Sequence, residues 1–370
     1  MRKKILRSFS ASAVGATGYF VGSTVLRGSR YCYEFARSVQ KITPNVEVKL
    51  ESDGVYSIRK LDDKPFKILQ LTDMHIGGGY LSRYEDRQAL SIMYKLIETV
   101  KPDCIILTGD MVCSRAHITW SKNNLNSMRI LVELLENTGI PYGVTFGNHD
   151  AEPKASHTKQ EIGEFLCKQR HCVMVQYSKN KGVTGFSNYP VKLRNADGSL
   201  NSVLYMIDSN EYLRSDKKRG YDYIHEDQVE WYASEVKRME EEEGHQVPSF
   251  LFFHIPIREY KEAWEAATGA RPEAVYYYGS RDEEISCSHE NSKLFETVLE
   301  LGSTKGIFCG HDHLNDFSVE YKGVRFTYGQ SIDCILYAKN LSEHKGGTEL
   351  RIARNGTFTV KGRKHRRRAE

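Results

Sequence analysis

Five apolar runs recur along the chain, and each stops at a short block of Asp, His or Asn. Phe66 to Leu71 precedes Asp73-Met74-His75, and Cys104 to Leu107 precedes Gly109-Asp110. Tyr142 to Phe146 precedes Gly147-Asn148-His149-Asp150, Phe250 to Phe253 precedes His254, and Gly306 to Cys309 precedes Gly310-His311-Asp312-His313. Runs of about five β-branched or aromatic residues bounded by glycine or polar positions read as buried strands. Every polar block therefore sits just past a strand's carboxyl end. In open α/β sheets ligands gather in the crevice outside those ends, so five loops far apart in sequence can converge on one place.

Between the first three runs lie helical faces with a period of about 3.6 residues. One is Ala89, Leu90, Met93, Leu96, Ile97 and Val100; the next is Leu125, Met128, Leu131, Val132 and Leu135. Strands alternating with helices imply parallel pairing through crossover connections. From Val183 the pattern changes. Val183 to Leu193, a turn at Asn195-Ala196-Asp197-Gly198, and Leu200 to Asp208 read as an antiparallel hairpin. Two more hairpins are expected at Tyr321-Lys322-Gly323-Val324 and at Asn355-Gly356, the latter a strong short-range turn signal. The expected fold class is α/β, with two mixed β-sheets packed as a sandwich and flanked by helices.

The charge of the chain is unevenly placed. Its net +4 hides two basic ends, residues 1–40 and 361–370, which together carry +11 and leave the body near −7. A body of that sign does not resemble a nucleic-acid groove, which needs many phosphate-neutralising cations. Three parts are expected: a basic, weakly apolar targeting or anchor segment over residues 1–40, one catalytic domain over 41–360, and a basic tail over 361–370. In the first, Arg2, Lys3, Lys4 and Arg7 precede the uncharged stretch Ser8 to Leu26. That fits an export signal, a membrane anchor, an amphipathic targeting segment or a disordered arm, with membrane contact through residues 1–40 if it anchors. Without such a role the chain is expected in the cytoplasm. The tail from Lys361 to Arg368 reads as a solubilising run or as a contact with anionic surfaces.

The donor types set the chemistry. Asp73, His75, Asp110, Asn148, His254, His311 and His313 offer carboxylate, imidazole and amide oxygen, which suit Zn, Mn or Fe better than copper(I). Seven donors are too many for one ion that keeps an open position, yet they fit two ions sharing a bridge. Asp110 is the expected bridging carboxylate, with Asp73, His75 and His313 on one ion and Asn148, His254 and His311 on the other. None of the eight cysteines is among the expected ligands. Cys104 and Cys309 fall inside expected core strands, so small buried thiols are the simpler reading.

This series of blocks, over roughly residues 60 to 335, resembles the calcineurin-like metallophosphoesterase superfamily. The wording Gly310-His311-Asp312-His313-Leu314-Asn315-Asp316-Phe317, with Phe252-Phe253-His254-Ile255-Pro256 and Gly220-Tyr221-Asp222-Tyr223, is similar to the branch holding purple-acid-phosphatase-29-like proteins and fungal cell-cycle-regulator phosphatases. The resemblance implies a four-layer αββα fold and a dimetal phosphatase. True purple acid phosphatases carry a tyrosine ligand three residues after the bridging Asp, where this chain has Cys113, so no tyrosinate-to-iron colour is expected. Asp73-Met74-His75 stands where purple enzymes have Asp-x-Gly, as in calcineurin-type phosphoesterases.

The implied reaction is in-line attack on phosphorus by a hydroxide bridging two cations, which also stabilise charge on the attacking and leaving oxygens. The family motif leaves the His149 imidazole facing substrate, where it can protonate the leaving alkoxide or stabilise the charge developing there. Asp150 either orients His149 or caps the segment that follows. Asp312, between two ligands, is expected to support them. Gly77-Gly78-Gly79 reads as a backbone cradle for phosphate or as a flexible turn, and Arg115 and His117 as phosphate contacts or solvated surface. The expected function is a phosphomonoesterase acting on a phosphorylated small molecule or phosphoprotein. A phosphodiesterase or nuclease of the same superfamily is the alternative, and a scaffold that has lost catalysis is a third reading.

Overall fold

The computed structural model describes residues 28–175, 182–213, 220–337 and 345–365. Its smaller sheet joins β3 (Phe66–Leu71), β4 (Cys104–Thr108) and β5 (Tyr142–Thr145) in parallel, with β13 (Gly346–Ile352) and β14 (Phe358–Lys364) added antiparallel beside β3. The larger sheet is built from β1 (Val46–Leu50), β2 (Tyr56–Lys60), β6 (Tyr189–Arg194), β7 (Leu200–Met206), β8 (Ser249–Phe252), β10 (Thr304–Cys309), β12 (Val324–Tyr328), β11 (Ser318–Tyr321) and β9 (Ala274–Tyr278), side by side in that order. Its middle strands β7, β8, β10 and β12 are parallel, while hairpins close both ends. Helix α1 covers residues 28–38. The others are α2 (Arg83–Val100), α3 (Ala116–Thr119), α4 (Asn124–Thr138), α5 (Lys159–Leu166), α6 (Glu226–Glu243), α7 (Glu259–Thr268) and α8 (Leu294–Leu301).

The layering follows from alternation along the central strands. Phe250 and Phe252 of β8, Leu204 and Met206 of β7 and Phe308 of β10 enter the core shared with the smaller sheet. Leu251, Val203, Tyr205 and Ile307 point the other way, into a second core with α6, α7 and α8. Successive side chains leave a strand on opposite faces, so runs apolar at every position have both faces covered. The smaller sheet is covered in turn by α2 and α4, giving the four-layer αββα sandwich. The apolar runs, the two helical faces and the hairpins at Asn195–Gly198, Lys322-Gly323 and Asn355-Gly356 fall where the sequence places them.

Three boundaries move. The stretch from Val183 to Asn188 is irregular, and the hairpin's first strand starts only at Tyr189. There, Asp227 and Asp208 carboxylates accept from the Thr184 and Phe186 N–H groups, which satisfies backbone that a ladder would otherwise need. Helix α1 belongs to the folded body, with Cys32 and Ala36 fully buried and Arg37 paired with Glu133 of α4, so a separate leading segment can extend at most to residue 27. The expected tail loses residues 361–364, which complete β14 against β13; Arg363 pairs with the buried Glu349. Ser8 to Leu26 and residues 366–370 lie outside the described residues. Among the described residues no helix is long and apolar enough to cross a membrane. All eight cysteines are free, six of them buried.

One buried ion pair ties the two sheets. Lys60 at the end of β2 sets its Nζ 3.0 Å from both carboxylate oxygens of Asp103, just before β4, and Asp103 also accepts from the Lys67 N–H at 2.8 Å. Both side chains are buried, so removing Asp103 leaves the Lys60 charge largely desolvated, with only the Asp62 carboxylate at 3.4 Å beside it among the described residues. Asp103→Ala is expected to lower the unfolding free energy by about 3 kcal/mol; a denaturant titration showing a loss under about 1 kcal/mol would contradict this role for the pair.

Candidate metal centre

Seven parallel strands from the two sheets end at one edge, and the site is assembled from the loops that follow them. Asp73 and His75 follow β3, Asp110 follows β4, Asn148 and His149 follow β5, His254 follows β8, and His311 and His313 follow β10. The loops are tightly interlocked: Asp73 N–H donates to Gly109 O, His75 N–H to Asp110 O, and His149 N–H to the Asp110 carboxylate at 2.8 Å. Glycine permits this closeness. A Cβ on Gly147 would fall 2.2 Å from Asp110 Oδ1, and one on Gly109, at φ +84°, would fall 2.6 Å from the His254 ring. Asp73, His75, Asp110 and His311 themselves hold left-handed φ of 54°, 50°, 48° and 81°. Such strain at non-glycine residues persists only where surrounding contacts over-determine it, and it concentrates at functional sites.

All seven expected donors come together, in two clusters. Asp73, His75 and His313 present donor atoms within 4.8 Å of one another, and so do Asp110, His254 and His311. In the first, His75 Nε2 lies 3.2 Å from His313 Nε2, and His313 Nε2 lies 3.4 Å from Asp73 Oδ1. In the second, His254 Nε2 is 3.2 Å from His311 Nδ1, 3.2 Å from Asn148 Oδ1 and 3.1 Å from Asp110 Oδ2. The same Asp110 Oδ2 is 3.8 Å from His75 Nε2. One carboxylate oxygen thus stands between the clusters, as a bridging ligand must.

The donor set fits cations on electrostatic grounds. Asp73 Oδ1 is buried without a hydrogen-bond partner, and imidazole nitrogens meet in pairs 3.2 Å apart. Burial alone would keep His254 neutral, but the Asp110 carboxylate against it pushes its pKa up to about 9. For His313 burial is likewise overcome by Asp333 and Asp73, which carry it to about 10. His75 and His311, where burial dominates, are held down at about 4 and about 3. The carboxylates thus draw positive charge toward two of the four imidazoles, a role that a bound cation would take over.

The support behind these ligands includes residues the sequence did not single out. His254 Nδ1 lies 2.8 Å from Thr108 O, a contact only Nδ1–H can make, so Nε2 is free to ligate. His313 Nδ1 faces the Asp333 carboxylate at 3.4 Å. Asn148 Nδ2 donates to Tyr212 Oη at 2.7 Å, which turns the amide oxygen inward. Asp333 and Tyr212 follow β12 and β7, so the rule that found the five blocks, a polar residue past a buried parallel strand, also applies to them.

The surroundings decide among readings that the sequence leaves open. Asp150 does not touch the His149 ring: its carboxylate accepts from the Met111, Val112 and Gly147 N–H groups, stitching the β4 and β5 loops together. The ring is held by Glu152, whose Oε1 is 2.5 Å from His149 Nδ1 and 2.9 Å from Arg115 Nε. Spacing of three residues within the turn was the available signal for Glu152. The glycine loop does not offer its N–H groups to phosphate, because the buried Asp86 carboxylate already accepts from Gly77 and Gly78. Arg115 lies within 3.4 Å of His149 Nδ1, whereas His117 is exposed on α3. Asp312 supports its surroundings as expected, accepting from Tyr328 Oη and Ser286 N–H.

A four-layer αββα fold with two carboxylate–imidazole clusters joined by one aspartate is the architecture of metallophosphoesterases. The chain belongs to the calcineurin-like phosphoesterase family, whose sequence model matches residues 66–315. Among its relatives, "Probable inactive purple acid phosphatase 28" of Arabidopsis thaliana is 30% identical over 307 residues, covering 76% of this chain and 74% of that one. "Phosphatase DCR2" of Saccharomyces cerevisiae is 26% identical over 288 residues, covering 71% of this chain and 46% of the yeast protein. A dimetal phosphatase from Danio rerio has a similar fold, with a TM-score of 0.52 at 10% identity over 82% of this chain and 97% of its own.

Proposed function

We propose that the protein is a dinuclear metal-dependent phosphoester hydrolase acting on phosphomonoesters, with Asp73, His75 and His313 holding one cation, Asn148, His254 and His311 the other, and Asp110 both. The observation that carries this reading is the position of Asp110 Oδ2 between the two clusters, 3.1 Å from one imidazole and 3.8 Å from another. The chemistry that two cations supply at such a place is Lewis acidity, which holds phosphoryl oxygens and eases deprotonation of the attacking water. The chain's own part is to orient and to move a proton. His149 Nε2 faces the centre, 3.9 Å from Asp110 Oδ2, while Nδ1 is fixed by Glu152. As the P–O bond breaks, the proton on Nε2 passes to the departing alkoxide, and Glu152 stabilises the ring in its charged form. Glu152 thus takes the positioning role that Asp150 does not fill.

Relatives whose names include "inactive" keep a second reading in view: the same fold used as a scaffold. Seven converging donors together with a substrate-facing His149 favour turnover. The test is elemental analysis of protein purified without chelator, paired with hydrolysis of p-nitrophenyl phosphate and its bis-ester before stripping and after restoring Mn, Zn or Fe. Close to two ions per chain and restorable monoester turnover are expected. Faster bis-ester hydrolysis would replace the monoesterase with a diesterase, and bound metal without turnover would leave the scaffold.

The Tyr212 hydroxyl gives a separate check of the ligand assignment. Tyr212→Phe removes the acceptor that fixes the Asn148 amide, and supporting partners of this kind are worth about 10- to 100-fold in metal affinity. One of two ions is expected to weaken by that factor in a chelator competition; equal weakening of both, or none, would contradict the placement of Asn148.

A further inference from the structure

Outside the metal centre, the surface carries a connected stripe of exposed and half-buried aromatic rings laced with arginines. Tyr31 on α1 meets Tyr84 on α2 with ring centroids 5.9 Å apart, and Tyr80 meets Trp120, just past α3, at 6.5 Å. Arg83 links the two pairs, its guanidinium 4.0 Å from the Tyr80 ring and 4.2 Å from that of Tyr84. Arg87 lies over Tyr31 and Phe35. Tyr84 is 61% exposed, Trp120 49% and Leu81 42%. Scattered apolar residues on a surface need no explanation, but a connected patch from several elements marks a surface that something covers.

The chemistry of the patch selects its occupant. Tyr and Trp rings, apolar in body and polar at one edge, partition to the boundary between lipid headgroups and acyl chains, and arginines beside them meet anionic headgroups. The acidic neighbours do not cancel this. Glu34 is paired with Arg30, Asp86 is buried under the glycine loop, and Glu85 is half-buried. The preceding chain favours lipid over a protein partner. Gly28 lies against Gly79 and Tyr80, so the 27 residues before it lead off from the edge of the stripe. They contain Ser8 to Leu26 without a charge, preceded by Arg2, Lys3, Lys4 and Arg7. Cations beside an uncharged stretch are the composition of a segment drawn to an anionic bilayer.

We propose that Tyr31, Tyr80, Leu81, Tyr84 and Trp120, with Arg83 and Arg87, form a docking surface for an anionic lipid bilayer. The surface adjoins the metal centre: the loop after His75 runs into it, and only the single turn of α3, about 6 Å long, separates Arg115 from Trp120. Docking therefore brings the centre close to the bilayer, independently of whether it hydrolyses phosphoesters.

The experiment uses the full chain with vesicles of phosphatidylcholine containing phosphatidylserine, and follows Trp120 fluorescence as the difference between the chain and its Trp120→Phe variant. Expected are a blue shift of the Trp120 component on vesicle binding, quenching by brominated acyl chains, and protection from acrylamide. Tyr31→Ser with Tyr84→Ser is expected to weaken vesicle partition about tenfold or more, with p-nitrophenyl phosphate turnover unchanged. Vesicle binding with Trp120 still open to acrylamide would overturn the proposal, since residues 1–27 alone would then hold the chain. So would an absence of binding, and equal binding to phosphatidylcholine alone would overturn the anionic assignment.

Discussion

Asp110→Asn is expected to empty both metal sites together and to lower monoester turnover by about 10³-fold or more. The amide keeps the shape of the carboxylate but loses the charge and one acceptor oxygen, and Asp110 Oδ2 is the atom placed between His254 and His75. Losing the shared ligand removes several kcal/mol of transition-state stabilisation, and each ~1.4 kcal/mol is a factor of ten in rate. A change at a ligand of one cluster, such as His313→Ala, leaves the donors of the other in place. The measurement is metal stoichiometry beside turnover for both variants. Two tightly held ions in Asp110→Asn would refute the bridge, and one ion lost in each variant would make Asp110 an ordinary ligand of one site.

The second large effect concerns His149. On an alkyl phosphate, whose leaving oxygen needs a proton, His149→Ala is expected to reduce kcat about 10²- to 10⁴-fold. On p-nitrophenyl phosphate, whose leaving group departs unprotonated, the loss is expected to be small. That contrast separates proton donation from mere packing, because a structural defect lowers both rates alike. Glu152→Gln is expected to show the same leaving-group dependence with a smaller amplitude, since it touches only the far nitrogen of the ring at 2.5 Å. Asp150→Asn is expected to behave differently. Its carboxylate binds backbone N–H groups of both the β4 and β5 loops, so its loss disturbs stability and both substrates equally. Wild-type turnover of an alkyl phosphate by His149→Ala would remove the proton-donor role.

The blocks that converge at the candidate metal centre were legible because two local signals coincide in them: a strand-length apolar run and an abrupt stop at donor side chains. Neither signal needs a partner from elsewhere in the chain. The identity of the ring's support was not legible. Asp150 adjoins His149 in sequence, yet the tight turn beginning at Gly147 directs its carboxylate back into the loops, and Glu152 reaches the ring instead. The basic run from Lys361 reads as a solvated tail on composition alone. It continues β14 because β13 lies alongside and the buried Glu349 there faces Arg363 and Arg351, a match that no window on the run can contain. Tyr212 and Asp333 are not legible, because an isolated Tyr or Asp after a strand is ordinary until the fold sets it against Asn148 or His313.

By itself, then, the sequence determined the donor chemistry of the centre and the strand ends on which its donors stand, since residue type and periodicity are properties of neighbours along the chain. The tertiary structure decided how closely the donors of each cluster approach, that Oδ2 of Asp110 is the oxygen standing between the clusters, and which side chains hold the donors in place. Those are distances between loops far apart in sequence, as between His75 and His313, 238 residues apart. They are fixed by strand register and by the packing of one sheet on the other, and sequence neighbours carry no record of either.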